Sequence, residues 1–99
     1  MVEYSVEILD EALDELEGIV DYIAVDSIVN ALRWYEKITT AIQTLDNMPR
    51  RCPLADENPA FPFEVHCLLV DGYRVLYRIN TDVVEVLHVK HPRKDHVRE

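Results

Sequence analysis

Two arginines alternate with apolar residues in the stretch Gly72-Tyr73-Arg74-Val75-Leu76-Tyr77-Arg78-Ile79, and a second apolar run behind it ends in Lys90-His91-Pro92-Arg93. Strand residues two apart share a face, so Arg74 and Arg78 are expected to project from one side of a sheet. A turn at Asn80-Thr81-Asp82 makes the two runs a hairpin and brings the basic end of the last strand beside the start of the one before it. Arg74 is therefore expected close to His91 and Arg93. Guanidinium groups on rigid strands suit a phosphate, a carboxylate or an acidic partner helix, and an imidazole beside them can move a proton. On these grounds Arg74, Arg78, Lys90, His91 and Arg93 are the candidate site residues. His66, Cys67, His88 and His91 are also metal-ligating types, but their spacings fit no ligand signature. No metal or other cofactor is expected.

Positioning such a patch requires a folded scaffold, and the composition provides for one. Ninety-nine residues suffice for a single domain, 1–99, with one modest core. Hydrophobic content of 48%, charged content of 29% and only two glycines are globular rather than disordered values. No apolar run approaches the ~20 residues of a membrane span, and Met1-Val2-Glu3-Tyr4 has no signal-peptide character. A cytoplasmic protein without membrane contact is the expectation. Cys52 and Cys67 are too few for a disulfide scaffold and show no CxxC spacing; both are expected reduced, with Cys67 in the core.

The net charge of −9 is unevenly placed. Residues 1–62 hold 13 acids and 4 bases, whereas residues 63–99 hold 6 of each and all four histidines. An acidic half repels a nucleic-acid backbone at long range, so direct DNA binding is not expected.

Glu3 to Leu9 reads as a first strand with Tyr4, Val6 and Ile8 on one face. Asp10 is a plausible N-cap for a helix carrying Leu9, Leu13, Leu16, Ile19 or Val20, and Ile23 as its apolar stripe. Seven acids and no base lie between Asp10 and Asp26. Ser27 caps a second helix with Ile28, Ala31, Tyr35, Ile38, Ile42 and Leu45 on its stripe and its end near Pro49. Trp34 falls off that stripe, in a half-buried packing position. The proline-rich residues 49–62 form an ordered loop. Phe63 to Val70, Tyr73 to Asn80 and Val83 to His91 then read as an antiparallel three-stranded meander. The predicted fold class is α+β: an N-terminal strand, an αα-hairpin and the meander, with the helices packed on one sheet face. Leu69, Val75, Leu76, Val84, Val86 and Leu87 fall on both faces of that sheet, which points to a second cover, such as a partner protein.

The ordered set resembles the RelE/ParE superfamily of bacterial type II toxin–antitoxin toxins. It runs from the Tyr4-to-Ile8 strand and Asp21-Tyr22-Ile23-Ala24 through Ala31 to Leu45 and Pro49. It closes with Gly72-Tyr73-Arg74-Val75-Leu76-Tyr77, Val83 to His91 and Arg93. The resemblance implies a small toxin of a plasmid-stabilisation type, neutralised by a cognate antitoxin that wraps its sheet or helices. ParE-like members act against DNA gyrase; RelE-like members cut mRNA in the ribosome. For the RelE branch the resemblance gives Arg74 the role of the arginine that stabilises the scissile phosphate. That branch has lysines on the preceding strand, where this chain has Glu64, His66 and Cys67, and a tail acid/base for which it offers His91 or His96. The missing lysines favour the ParE-like reading, with the endoribonuclease, or a degenerate non-toxic binding module, as alternatives.

One geometric point bears on that choice. If Asp71-Gly72 closes a two-residue hairpin, Val70 pairs with Tyr73 and Leu69 with Arg74, and His66 faces away from Arg74. A loop of odd length would bring His66 and Arg74 onto one face.

Overall fold

The computed structural model describes residues 3–92. The first strand, β1 (Ser5–Ile8), alternates exposed and half-buried residues. Its extended backbone runs on through Leu9, whose N–H donates to the Val86 carbonyl at 3.0 Å. The following helix, α1 (Asp10–Ala24), therefore takes Leu9 as its N-cap, with no side-chain cap. Asp10, the expected cap, lies instead inside the first turn beside Glu11, where carboxylates meet the positive end of the helix dipole. The second helix, α2 (Ile28–Gln43), starts as expected: the Ser27 hydroxyl accepts from the Asn30 N–H at 3.1 Å.

The end of α2 comes earlier than Pro49 suggests, because short 3₁₀ turns at Thr44–Asp46 and Pro49–Arg51 finish the segment. Arg51 holds this end together. Its guanidinium donates to the carbonyls of Thr44 (3.4 Å), Asn47 (2.8 Å) and Met48 (3.3 Å) and to the Thr44 hydroxyl (2.9 Å). A cation over the last carbonyls of a helix satisfies orphan acceptors and opposes the dipole at once.

The meander is β2 (His66–Val70), β3 (Tyr73–Asn80) and β4 (Val83–Lys90), antiparallel as predicted. The full sheet has the order β1-β4-β3-β2, and β1 lies parallel to β4 from Ser5↔Val83 to Ile8↔Val86. Asp71 (φ 53°) and Gly72 (φ 85°) close a two-residue turn with both residues left-handed, the arrangement that Asp-Gly favours. Val70 pairs with Tyr73 and Leu69 with Arg74. The second turn places Thr81 at φ 60°. A β-branched residue is strained there. Thr81→Gly is accordingly expected to raise stability by about 0.5–1 kcal/mol, read as a higher midpoint in a urea melt; a lower midpoint would mean that the turn is not strained.

The second strand begins at His66 rather than Phe63. The proline-rich loop folds back along its outer edge instead, through Ala55 N–H to Val65 C=O (2.7 Å) and Cys67 N–H to Pro53 C=O (2.9 Å). Its prolines lack the donors that a regular strand would need.

Both faces of the sheet are covered by the chain itself. The helix side joins Ala12, Leu16, Ile19, Ile38, Ile42 and Leu45 to Val70, Val75, Tyr77, Val84, Val86 and Val89. Leu13, expected on the inner stripe, is 38% exposed, and Ala12 takes the inward place. Ile28 and Tyr35 likewise turn outward. Against the other face the loop packs Ala55, Phe61, Phe63 and Val65 onto Cys67, Leu76 and Leu87. Residues of the same chain thus supply a second cover, while Leu69 is left 67% exposed.

An irregularity in β4 explains why its apolar residues fall on both sides. Tyr77 pairs with Val86 and Leu76 with His88, so Leu87 is an extra residue. A bulge of one residue inverts the alternation beyond it. Val84 and Val86 face the helices before it and Val89 after it, while Leu87 points to the loop.

Candidate functional site

The bulge also decides which candidate residues meet. Without it Arg74 would lie opposite residue 89 and share a face with residue 91; with it Arg74 pairs with Lys90. His91 passes to the helix side, its ring edge-on to Tyr22 (5.4 Å) and Tyr73 (5.3 Å). Tyr73 in turn packs on Trp34 at 4.9 Å, which gives Trp34 the half-buried role expected of it. Tyr73 and Arg74 are consecutive on a strand and point to opposite faces. The expected juxtaposition of Arg74 with His91 is therefore corrected: the sheet separates them. Arg93 lies outside the described residues.

On the loop side Arg74 is clamped by a residue that sequence reasoning did not select. Its guanidinium donates to both carboxylate oxygens of Glu57, at 2.8 and 2.6 Å, with the side chains only 22% and 28% exposed. The Arg74 hydrogen bond holds the Glu57 carboxyl below its ordinary range, and the Arg74 and Lys90 charges add to this. Burial pushes the Cys67 thiol up, and the adjacent Arg74 partly offsets that. Glu57 lies in the irregular loop, where no periodicity reports which way a side chain points.

Arg78 is also engaged. Its Nε donates to Glu85 Oε1 at 2.8 Å, and its guanidinium lies 4.4 Å from the centroid of the Phe63 ring. The pairing is a cross-strand neighbour in the β3–β4 register, so the hairpin could have suggested it. Another carboxylate, Glu15 of α1, accepts from the Val89 N–H at 2.8 Å and meets His88 Nδ1 at 3.3 Å. It does for β4 beyond Val86 what β1 does before it, satisfying a strand N–H that has no neighbouring strand.

His66 faces away from Arg74, as the two-residue turn requires. It is 7% exposed, lies flat on Tyr77 at 5.4 Å, and its Nδ1 is 2.9 Å from the Cys52 carbonyl. A carbonyl only accepts, so Nδ1 is the donor in this pair. The ring borders a cleft of about 330 Å³ where β3 outruns β2, lined also by Arg50, Phe63, Glu64, Arg78, Ile79 and Asn80. Among the described residues no cluster of three metal-ligating side chains occurs. Among the same residues no helix is long and apolar enough to cross a membrane.

The family model for "ParE toxin of type II toxin-antitoxin system, parDE" matches residues 6–96. The chain belongs to the ParE toxin family. Its fold is similar to that of a solved chain described as "Chromosomal ParDE TA system from P. aeruginosa", with a TM-score of 0.74 and 16% identity over 90% of this chain and 96% of that one. No curated protein matches the sequence. Membership places this ParE-family chain on the toxin side of a type II system, with an antitoxin as its partner.

Proposed function

We propose that this ParE-family toxin acts by binding and inhibiting a cellular target, DNA gyrase, and that its antitoxin keeps it silent in a plasmid-stabilising pair. The Arg74–Glu57 clamp is the observation that supports this reading over RNA cleavage. Stabilising the pentavalent phosphate in cleavage by 2′-OH attack needs cations directed at the developing charge. Here the arginine that the RelE branch would use has a carboxylate across both of its terminal nitrogens. A carboxylate at that point repels a phosphate, and it leaves Arg74 a part in holding the loop to the sheet. Arg78, Lys90 and Arg93 then belong to the target-binding surface rather than to a reaction centre. His91, packed on Tyr22 and Tyr73, contributes to the shape of that end of the sheet.

Inducible expression in bacteria, beside Arg74→Ala, tests the proposal through growth, plasmid supercoiling and messenger integrity. The expected result is arrest with altered supercoiling and intact mRNA. Cut mRNA that becomes intact in Arg74→Ala would establish the endoribonuclease instead. Unimpaired growth in both strains would mean a non-toxic binding module.

A further inference from the structure

The cleft where β3 outruns β2 exposes a piece of strand edge. β2 ends at His66, paired with Tyr77, while β3 continues to Asn80. Alternate residues of an antiparallel strand turn both backbone groups toward the same neighbour. Asn80 turns its pair toward Val83 of β4, so Ile79 turns its N–H and C=O to the side where β2 is missing. Among the described residues nothing bonds to either group. The loop keeps the chain out of that place. The Val65 N–H donates to Asn58 Oδ1 at 2.8 Å, and the Val65 carbonyl accepts from the Ala55 N–H at 2.7 Å. An N–H left at such an edge takes its acceptor from water or from a ligand.

Two guanidinium groups line the same cleft. Arg50, exposed in the 3₁₀ turn Pro49–Arg51, has one nitrogen 3.3 Å from the Tyr4 hydroxyl. Arg78 gives its Nε to Glu85 and lies over the Phe63 ring, which holds the plane of the guanidinium. Among the described residues nothing accepts from its two terminal nitrogens. Here it differs from Arg74, whose terminal nitrogens both meet Glu57.

The donors are spread around the sheet edge. Arg50 reaches Tyr4, which packs on the helix side; Arg78 lies against Phe63 on the loop side; the Ile79 N–H is in the plane between them. One guanidinium serves a planar carboxylate, whereas a tetrahedral oxyanion accepts from several sides at once. The cleft, about 330 Å³, has room for a phosphate group and a small organic substituent. Glu64, exposed on the same lining, opposes an anion there and so provides a test.

We propose that this cleft binds a small phosphate-bearing ligand, either inorganic phosphate or a phosphate monoester. Its oxygens meet Arg50, the terminal nitrogens of Arg78 and the Ile79 N–H. Arg78 is shared with the target-binding surface proposed above, but the site needs no target and stands whether or not the chain is toxic.

Inorganic phosphate, adenosine monophosphate and acetate, titrated into the isotope-labelled full chain at constant pH and ionic strength, test it by amide NMR. Both phosphates should saturate, with the largest amide shift at Ile79, and acetate should not. Tighter binding of adenosine monophosphate than of phosphate identifies an ester as the ligand; binding no tighter identifies the free anion. Arg50→Ala should weaken binding about tenfold, the loss of one charge-assisted hydrogen bond. Glu64→Gln should tighten it about two- to fivefold. Arg33→Ala removes an equal charge from an exposed position on α2 and should leave binding unchanged. All three positions are exposed, so amide spectra that match the unaltered chain outside the altered sites confirm that the variants fold. Failure of both phosphates to saturate, a largest shift away from Ile79, or equal losses in Arg50→Ala and Arg33→Ala would overturn the proposal.

Discussion

Tyr77→Ala is expected to remove about 4 kcal/mol of folding stability, the usual loss when a buried aromatic ring is cut back to a methyl. Tyr77 is fully buried, and it joins three parts of the molecule. Its ring contributes to the helix-side core and lies on His66, while its hydroxyl donates to the Pro49 carbonyl at 2.5 Å beyond the end of α2. A domain of this length has roughly 5–15 kcal/mol in all, so the variant should sit close to unfolding at room temperature. Tyr77→Phe isolates the hydroxyl: it keeps the ring, leaves the Pro49 carbonyl without its donor, and should cost about 1–2 kcal/mol. Urea melts distinguish the two, with a shifted midpoint and an unchanged slope in each case.

Alkaline titration offers an independent check. Burial raises the Tyr77 phenol above its ordinary value of 10.0. A neutral acid held buried binds its proton more tightly in the folded state, so its contribution is complete below pH 10 and is lost as pH rises beyond it. The unaltered chain should weaken over that range and Tyr77→Phe should weaken less. Equal alkaline slopes would show that the phenol is not sequestered.

Glu57→Gln is the second substitution with a large expected effect, and it addresses both stability and function. It keeps the side-chain size but removes the Glu57 charge from the partly buried Arg74, at a cost of about 1–2 kcal/mol after allowing for solvent screening. The sign of the pH effect follows from the lowered carboxyl. Its stabilisation is full above the ordinary value of 4.5 and disappears as pH falls through the depressed folded value. The unaltered chain should therefore lose more stability than Glu57→Gln between neutral and strongly acidic pH. The same variant takes the Glu57 carboxylate away from Arg74. If Glu57 merely masked a nuclease, expression of Glu57→Gln should cut ribosome-bound mRNA; the proposed function expects the message to stay intact.

The order of elements, the meander and the Asp-Gly turn were legible because each leaves a periodic or conformational mark on the sequence. The Ser27 cap was legible for the same reason. The inner stripe of α1 was less so, since Ala12 and Leu13 are both apolar and the side facing the sheet depends on where Glu15 must reach. The geometry around the candidate residues was legible only in part. That Arg74 and Arg78 share a face follows from alternation along one strand. The placement of His91 required the register between two strands, and the bulge at Leu87 inverts it with no glycine to announce it. Glu57 and Glu15 were not legible at all, because each meets its partner through tertiary packing of distant segments.

The parallel pairing of β1 with β4 bears on when the molecule can exist. Ser5 and Val83 come together across nearly the whole chain. Closing a loop of that length costs about 4 kcal/mol before any contact repays it. Contacts so remote in sequence make folding slow, and ribosomes add residues one by one, a few to some tens per second. Until Val83 to Lys90 have been synthesised, β1 has no strand to join and the helices have no Val84, Val86 or Val89 to cover. A nascent chain stalled before that point has no assembled sheet and therefore no basic strand end to present. A chain that lacks Val83 to Lys90 therefore cannot assemble the toxin fold, however complete its helices.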